Sequence, residues 1–325
     1  MSASLIPLIQ RLLLGWYATS KRDLPWRRTG EPYCIWLSEI MLQQTRVAAA
    51  APYYERFLAR FPSAEALSAA PESEVLAAWA GLGYYSRARN LHRAAHAIAA
   101  RGTFPADYDG IRALPGVGEY TAAAVASIAF GLPHAAVDGN VKRVVARLFR
   151  AGDGVRELAQ NLLDRTAPGT WNQAVMELGA TVCLPRQPAC GSCPLAPVCE
   201  ARARGETNRF PARRTRPGFQ RLSKVLLVIQ QGKETLLWQR GLESRRMVGF
   251  WELPEAEQLP GATVFRELGG FRHTITSHHY EVRVVQARLR KAPPGFRWAG
   301  KDELAALPLS TMARKGLRVA GKSSN

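Results

Sequence analysis

Four of the five cysteines lie between residues 183 and 199 and are spaced as ligands of a metal or cluster. Their spacing is C-x6-C-x2-C-x5-C, formed by Cys183, Cys190, Cys193 and Cys199. Four thiolates can bind zinc tetrahedrally or hold a [4Fe-4S] cluster, and the ligand type alone does not choose between them. An unexported chain keeps its cysteines reduced, so metal binding is favoured over disulfide bonds. Cys34 stands apart and is expected to act as a small buried hydrophobe.

A second group that could do chemistry is the carboxyl group of Glu39. A helix is predicted from about residue 33 to residue 50, and on it Glu39 and Gln43 share one face, with Gln44 beside them. A lone glutamate on a helix is usually solvated, but this one has neighbours too apolar for an outer face: Trp36, Leu37, Ile40, Met41 and Leu42. A carboxyl group in such a setting keeps its proton more easily. The stretch therefore predicts a carboxyl group with a raised pKa.

The turn Leu114-Pro115-Gly116-Val117-Gly118 lies between two predicted helical segments, the second of which begins at Glu119. Its two glycines let the backbone turn tightly and leave N–H groups uncovered at a helix N-terminus, where a phosphate is stabilised. Such a helix-hairpin-helix holds the DNA backbone without reading its sequence. A plain tight turn between packed helices would have the same local sequence, so the turn by itself does not decide.

Asp138 stands twenty residues beyond Gly118 and directly before Gly139 and Asn140. An aspartate before Gly-Asn at the start of a helix is more often an N-cap than a catalyst. Its interval from the hairpin, however, resembles that of helix-hairpin-helix base-excision glycosylases. In those enzymes the loop that holds the backbone also aims a carboxylate at a flipped nucleotide.

The whole chain is basic and long enough for more than one folded unit. Its 325 residues include 44 Lys and Arg against 26 Asp and Glu, which gives a net charge of +18. This excess favours a polyanionic partner, nucleic acid first, although a basic bias without binding would look the same. A hydrophobic fraction of 47% allows a sizeable core. No apolar stretch is long enough to span a membrane, and residues 5–14 are interpreted as an amphipathic core helix, not a signal peptide.

Three regions are predicted along the chain. Residues 1–206 are mostly helical, with apolar residues at 3.6-residue spacing and prolines between segments. Residues 207–221 are polar, basic and rich in helix breakers, which indicates a linker. Residues 222–325 are interpreted as a smaller α+β domain, with β-favouring runs at 225–229, 236–238 and 280–289 and a helical pattern at 309–319.

Three further motifs accompany the hairpin, the aspartate and the cysteines. They are Leu24-Pro25-Trp26-Arg27, then Trp36-Leu37-Ser38-Glu39-Ile40-Met41-Leu42-Gln43-Gln44-Thr45, then Trp79-Ala80-Gly81-Leu82-Gly83-Tyr84-Tyr85-Ser86-Arg87-Ala88-Arg89-Asn90-Leu91. With them the chain resembles, over nearly its whole length, the adenine DNA glycosylase (MutY) family of the endonuclease III-like helix-hairpin-helix superfamily.

The resemblance implies a mostly α glycosylase fold over residues 1–206 with an iron–sulfur loop. Within it, a six-helix module is expected over about 23–133, and residues 1–22 and 134–206 would form the cluster-bearing module. The four cysteines would hold a [4Fe-4S] cluster. Residues 222–325 would form a Nudix-like recognition domain.

The resemblance also implies an activity: removal of adenine mispaired with 8-oxoguanine or guanine in duplex DNA. Glu39 would be the general acid, and an ionised Asp138 would stabilise the oxocarbenium ion, with Tyr120 and Asn140 in the same pocket. Lyases of this superfamily have a lysine at the position of Tyr120, and a phenol cannot form an imine. A monofunctional glycosylase without strong lyase activity is therefore expected.

Several residues are expected to contact DNA. Gln43, Gln44 and Tyr84 would fill or wedge the duplex where the adenine leaves, which replaces lost stacking. The other expected contacts are Arg87 and the hairpin residues Leu114, Gly116, Val117 and Gly118. The protein would act as a monomer on double-stranded DNA, without a membrane partner, in a bacterial cytoplasm at the nucleoid.

The C-terminal region departs from an active Nudix enzyme. Gly249 and Glu255 match the first half of the Nudix signature, but the rest decays to Arg266-Glu267-Leu268-Gly269-Gly270, without the paired acids that hold magnesium. The domain is therefore expected to bind and not to hydrolyse. The family often has Phe-Ser-His after Arg-His-Thr, whereas this chain has Ile275-Thr276-Ser277-His278-His279. The register of the reading loop thus stays open, and the expected 8-oxoguanine contacts are Thr276, Ser277 and His278.

Two other functions fit part of the pattern. One is an endonuclease III-type lyase acting on oxidised pyrimidines, which Tyr120 and the C-terminal domain disfavour. The other is a non-catalytic DNA-binding iron–sulfur protein acting as a redox sensor, which the presence of both Glu39 and Asp138 disfavours.

Overall fold

A computed structural model describes residues 5–212, 218–241, 249–275 and 277–322 of the chain. The chain forms two compact units, Met1–Arg214 and Thr215–Asn325. Each unit has hydrophobic clusters of its own.

The described part of the first unit consists of helices and connecting turns. Local signals set several helix ends: the side chains of Ser63 and Asp107 cap helix N-termini, and Gly102 and Gly131 end helices in the left-handed conformation. The helices are α1 (Leu5–Ser20), α2 (Pro32–Leu42), α3 (Val47–Arg60), α4 (Ala64–Ala69), α5 (Glu72–Ala78), α6 (Ser86–Arg101), α7 (Tyr108–Arg112), α8 (Glu119–Phe130), α9 (Gly139–Leu148), α10 (Val155–Leu162), α11 (Pro168–Thr181) and α12 (Glu200–Ala203).

Two large hydrophobic clusters hold this unit together. The first draws its buried members from residues 24–126 and includes the fully buried Trp36 and Trp79. The second joins Ile9 and Leu13 of α1 to residues 141–195. Thus α1 packs against the second half of the unit although it begins the chain.

The described part of the second unit is a mixed sheet with two α-helices. Its strands have the order β3-β2-β1-β5-β4, with β6 paired to β2; β1 and β5 run parallel, while β4 and β5 form an antiparallel hairpin. The elements are β1 (Gln220–Gln231), β2 (Glu234–Gln239), β3 (Trp251–Glu252), β4 (Thr263–Ile275), β5 (His278–Arg288), β6 (Phe296–Ala299), α13 (Lys301–Ala306) and α14 (Thr311–Lys322).

Strand β1 shows why this sequence folds as a covered sheet. Successive strand residues point to opposite faces. Leu226 and Val228 accordingly belong to one hydrophobic cluster, and Leu227 and Ile229 belong to another. Both faces of the strand are covered here, so its apolar residues form an uninterrupted run.

The predicted fold class is confirmed: a mostly α region is followed by a smaller α+β region. Two boundaries differ. The helix predicted over about 33–50 is interrupted, since α2 ends at Leu42, Gln44 has a left-handed backbone with φ of 58°, and α3 begins at Val47. Strand β1 begins at Gln220, inside the range predicted as linker. No helix among the described residues is long and apolar enough to cross a membrane.

Candidate active site

Glu39 and Tyr120 line a cavity of about 670 Å³ in the first unit. Glu39, on α2, is only 6% exposed, and the hydroxyl of Tyr120, on α8, donates to its Oε2 at 2.7 Å. Burial raises the pKa of Glu39 to about 7; the hydrogen bond from Tyr120 opposes this rise, and the charge of Asp138 adds to it. The carboxyl group can therefore hold and release a proton near neutral pH, as a general acid must.

Asp138 lines the same cavity as Glu39 and is also the N-cap of α9. Its Oδ1 accepts from the backbone N–H of Val141 at 2.7 Å, and its Oδ2 accepts from Nδ2 of Asn140 at 2.8 Å. Burial raises the pKa of Asp138, while these hydrogen bonds and Arg143 oppose the rise. The capping role and a position in the cavity are thus compatible, because the cap fixes the carboxylate where the cavity exposes it.

Asn140 connects Asp138 to the region of the cysteines. Its Oδ1 accepts from a guanidinium N–H of Arg143 at 2.9 Å, and Nε of Arg143 donates to the carbonyl of Cys183 at 2.7 Å. Asn140 also lines the cavity. A continuous set of hydrogen bonds therefore runs from Asp138 to the backbone of the first cysteine.

A buried ion-pair network on the cavity wall was not identified from the sequence. Glu177, on α11, has a side chain only 1% exposed and pairs with Arg22 at 2.7 Å and with Arg27 at 2.8 Å. Burial by itself raises the pKa of Glu177, but the hydrogen bonds from both arginines outweigh it and hold the pKa at about 2. The Leu24-Pro25-Trp26-Arg27 motif, noted in the sequence, contains one arginine of this network, Arg27. No local signal linked it to a glutamate 150 residues away.

Arg87 occupies a different place from the one predicted. It is only 8% exposed, and its guanidinium donates to the carbonyls of Ile40, Met41, Gln43, Leu82 and Gly83. The expected DNA contact of Arg87 is therefore corrected, because the side chain is buried and both terminal nitrogens of its guanidinium donate to protein carbonyls. The arginine ties the end of α2 to the start of α6.

Two of the residues expected to wedge the duplex lie directly after carbonyl groups that Arg87 binds, those of Gln43 and Gly83. Gln44 and Tyr84 both have positive φ, 58° and 48°, a conformation that costs energy in residues other than glycine. Tyr84 is 55% exposed. Gln43 donates to the hydroxyl of Thr121 at 3.2 Å, and Gln43 and Gln44 both line the cavity. Such strain is often found at functional sites.

The hairpin Leu114–Gly118 directs its apolar side chains inwards. Leu114 is 8% exposed and Val117 is 4% exposed, so these side chains position the turn, and the expected DNA contact of the hairpin stays a prediction about its backbone. Gly116 has φ of 79°, and a Cβ there would lie 2.6 Å from Cβ of Asn90. Gly118 is the N-cap of α8 and lines the cavity with Gly116. The outward-facing chemistry of the hairpin is therefore that of its backbone.

The four clustered cysteines lie after α11 and around two short 3-10 turns, and all are free thiols. The N–H of Arg147 donates to Sγ of Cys183 at 3.3 Å, and Arg147 is 2% exposed. Burial raises the pKa of Cys193 to about 11, and the other three cysteines of the set add to this rise. The thiols are thus near enough to repel one another when charged. No group of three or more His, Cys, Asp or Glu in the described ranges has the arrangement that holds a metal ion.

In the second unit, Ser277 and His278 lie at the β4–β5 turn, and Thr276 falls outside the described residues. Oγ of Ser277 is 3.5 Å from Nδ1 of His278. Residues 266–270 belong to strand β4 and form no helix. Glu255, the other partial Nudix match, pairs with Lys224.

Comparison with known proteins places the first unit in a superfamily. The family described as "HhH-GPD superfamily base excision DNA repair protein" matches residues 37–168. A solved thermostable thymine-DNA glycosylase superposes with a TM-score of 0.58 at 30% identity, covering 62% of this chain and 98% of that one. Endonuclease III in a non-covalent DNA complex shares the fold, with a TM-score of 0.55 at 23% identity over 63% of this chain and 98% of that one. The fold and the carboxyl-lined cavity together define a helix-hairpin-helix base-excision DNA glycosylase.

Relatives of known activity narrow this class. The human adenine DNA glycosylase is 34% identical, over 94% of this chain and 73% of the relative. The Mycolicibacterium smegmatis adenine DNA glycosylase is 44% identical, over 62% of this chain and 70% of the relative. The chain belongs to the adenine DNA glycosylase family. It is an enzyme of base-excision repair that hydrolyses an N-glycosyl bond.

Proposed function

We propose that the enzyme removes adenine paired with 8-oxoguanine, or with guanine, from duplex DNA. The observation that carries this proposal is the pair of carboxyl groups in one cavity. Glu39 has a pKa of about 7, and Asp138 is held there as the N-cap of α9. A base inside the duplex cannot reach buried side chains, so the adenine must first leave the stack. The cavity of about 670 Å³ is roomy enough for a nucleoside.

The two carboxyl groups divide the reaction between them. Protonated Glu39 donates its proton to a ring nitrogen of the adenine, which then leaves as a neutral base when the glycosidic bond breaks and keeps the bonding electrons. The sugar is left with oxocarbenium character, and ionised Asp138 stabilises that charge. Water adds to the sugar carbon and loses a proton, which completes hydrolysis. The hydroxyl of Tyr120, 2.7 Å from Glu39, orients the acid.

The same cavity supports a monofunctional reaction. A lyase needs an amine nucleophile that forms an imine with the sugar. None of the described residues that line the cavity is a lysine, and burial raises the pKa of Tyr120 well above its usual value. Tyr120 therefore stays a neutral phenol that donates a hydrogen bond.

We propose that Cys183, Cys190, Cys193 and Cys199 hold a [4Fe-4S] cluster. The donor set fits such a group in kind: four free, half-buried thiols lie close enough for the other three to raise the pKa of Cys193, and a bound cation would offset the repulsion of their thiolates. The bound cluster would supply a cross-link between α11 and α12. Arg147 would donate its hydrogen bond to the Cys183 thiolate in that state.

The second unit is proposed to be a Nudix-like domain that reads 8-oxoguanine with Thr276, Ser277 and His278. Support comes from the hydroxyl and imidazole groups at the β4–β5 turn and from the strand conformation of residues 266–270, which leaves the signature glutamates of a hydrolase without their helix. A monomeric protein in the cytoplasm, at the nucleoid of a bacterium, is proposed with it.

The test is a single-turnover glycosylase assay with Glu39→Gln against the unmodified enzyme. The duplexes carry adenine opposite 8-oxoguanine, adenine opposite guanine, or an oxidised pyrimidine. We expect adenine release from the first two, with strand breaks only after alkali, and a loss of about 10² to 10⁴-fold in the variant. Release of oxidised pyrimidines with direct strand cleavage would identify a lyase. Tight binding without base release would identify a non-catalytic DNA-binding protein.

A further inference from the structure

The segment that leads into Asp138 has no regular secondary structure. It runs from Leu132 to Val137, between the end of α8 and the cap of α9. Backbone N–H and C=O groups that are not paired within a helix or sheet must find other partners when they are buried. Two side-chain amides from later helices supply those partners.

Gln160, on α10, binds one part of this segment with both ends of its amide. Its Oε1 accepts from the backbone N–H of Ala135 at 2.9 Å, and its Nε2 donates to the carbonyl of Pro133 at 2.8 Å. Each hydrogen bond fixes one peptide group, so the two together fix the direction of the chain after Pro133.

Asn172, on α11, binds the alternate peptide groups in the same way. Its Oδ1 accepts from the N–H of Ala136 at 3.0 Å, and its Nδ2 donates to the carbonyl of His134 at 2.8 Å. The residue is 2% exposed, and Nδ2 also donates to Oγ of Ser127 at 2.8 Å. This side-chain amide is therefore buried, and both of its polar atoms form hydrogen bonds within the protein.

The two amides satisfy four polar groups in sequence order: the carbonyls of residues 133 and 134 and the N–H groups of residues 135 and 136. Two residues later the chain reaches Asp138, whose carboxylate must face the sugar while Glu39, on α2, faces the base. The separation between these two carboxyl groups depends on the path of this segment. A misplacement of about 1 Å at a reacting group can cost about a hundredfold in rate.

We propose that Gln160 and Asn172 are positioning residues for Asp138. They clamp residues 133–136 in place so that the carboxylate of Asp138 faces the sugar of the flipped nucleotide. The proposal rests on the proposed role of Asp138 as the stabiliser of the oxocarbenium ion. Neither amide lies at the reacting atoms. Their effect on the reaction is transmitted through the clamped segment alone.

The experiment replaces each amide in the full-length protein, as Gln160→Ala and Asn172→Ala. Matched controls are Asn161→Ala and Thr170→Ala, exposed positions on the same two helices. We expect both clamp variants to lose about 10- to 100-fold in single-turnover adenine excision. Affinity for the mismatched duplex should stay within about threefold, since binding uses other surfaces. Both control variants should match the unmodified enzyme. If Asn172→Ala fails to fold, Gln160→Ala at the edge of the segment decides alone.

A double-mutant cycle with Asp138→Asn separates positioning from general damage. If the amides act through Asp138, Gln160→Ala slows the unmodified enzyme but adds less than about twofold to the defect of Asp138→Asn. If the two defects multiply, or if Gln160→Ala alone has no effect, the clamp is not a positioning device and the proposal is overturned. If Asp138→Asn itself excises adenine at the normal rate, the proposed mechanism fails instead, which is a distinguishable result.

Amide hydrogen exchange gives a readout independent of activity. The N–H groups of Ala135 and Ala136 should lose protection in Gln160→Ala and Asn172→Ala, respectively, while α9 keeps its protection. Unchanged exchange at both positions would show that the amides do not hold the segment.

Discussion

At the scale of single residues, Glu39 and Asp138 make opposite demands on pH. Glu39 is useful while protonated, and burial raises its pKa to about 7. Asp138 is useful while ionised, and burial also raises its pKa from the ordinary range of aspartate. The active form proposed for the reaction therefore requires a protonated Glu39 and an ionised Asp138 at the same time.

We expect a bell-shaped dependence of the single-turnover excision rate on pH. The rate should fall as the pH rises through about 7, because Glu39 loses its proton, and should fall again in acid as Asp138 gains one. Rates measured at fixed ionic strength from pH 4 to pH 9 check this. In Glu39→Gln the residual rate should lose the limb near pH 7, and persistence of that limb would assign it to another group.

The ion-pair network of Glu177 predicts an effect on stability. Replacing Glu177 with Gln leaves the charges of Arg22 and Arg27 without their anion, so the variant should lose about 1 to 3 kcal/mol, less than for a fully buried pair because the side chain of Arg22 is 40% exposed and solvent screens its charge. Urea unfolding at pH 7 measures this loss. Asp23→Asn, which removes the exposed partner of Arg28, is the control and should change little.

The pH dependence of that stabilisation has a definite sign. Glu177 has a folded pKa of about 2, below its ordinary value of 4.5. A carboxyl group whose pKa is lower in the folded state stabilises the fold. The contribution is fully present at pH values above the pKa of the unfolded state, and it is lost as the pH falls through the pKa of the folded state. The difference between Glu177→Gln and the unmodified protein should therefore shrink between pH 4.5 and pH 2. A difference that stays constant would show that packing, not charge, is the cause.

At the scale of elements, the break between α2 and α3 places Gln44 in a strained conformation. Gln44→Gly should keep or raise the free energy of unfolding by up to about 1 kcal/mol, because glycine adopts positive φ freely. The same variant should excise adenine at least about tenfold more slowly, since nothing fills the space the base leaves. Gln43→Gly is the control: Gln43 has φ of −57°, so glycine there should destabilise the fold. A destabilised Gln44→Gly would contradict the strain argument.

The four clustered cysteines between α11 and α12 lead to a prediction of the protein's iron content. Anaerobically purified protein should contain about four irons per chain and be brown. Cys193→Ala should lose the iron and should unfold at a lower temperature than the unmodified protein, whereas Cys34→Ala, outside the set, should keep the full iron content. Stoichiometric zinc without iron would contradict the cluster.

How far the sequence predicts these elements depends on the range of the interactions. Periodic apolar residues predicted the helices, and apolar neighbours predicted the raised pKa of Glu39, because both are local properties. The break at residues 43–46 was missed since Arg87, more than forty residues away, holds the carbonyls that end α2. The same arginine was misassigned to DNA for the same reason. The carbonyl groups of α2 that it binds are distant in sequence, so the residues next to Arg87 in the sequence do not indicate that it is buried.

At the scale of the whole molecule, the positions of the chemistry along the chain suggest separable functions. Glu39, Tyr120, Asp138 and the four clustered cysteines all lie in the first unit, Met1–Arg214. The hydrophobic clusters of this unit contain no residue beyond Phe210 among their described members. Folding and base removal should therefore not require the second unit.

We expect a protein truncated after Ala212 to fold and to remove adenine, but to discriminate less between 8-oxoguanine and guanine opposite it. A hydrogen-bond pair that reads a base is worth about 1 to 3 kcal/mol, so the preference should fall by about ten- to a hundredfold. Single-turnover rates and affinities for both mispairs, in full-length and truncated protein, measure this. The full-length variant Ser277→Ala with His278→Ala is the matched control and should show part of the same loss. If the truncated protein keeps the whole preference, the reader lies in the first unit, and Gln44 and the exposed Tyr84 are the next candidates to test.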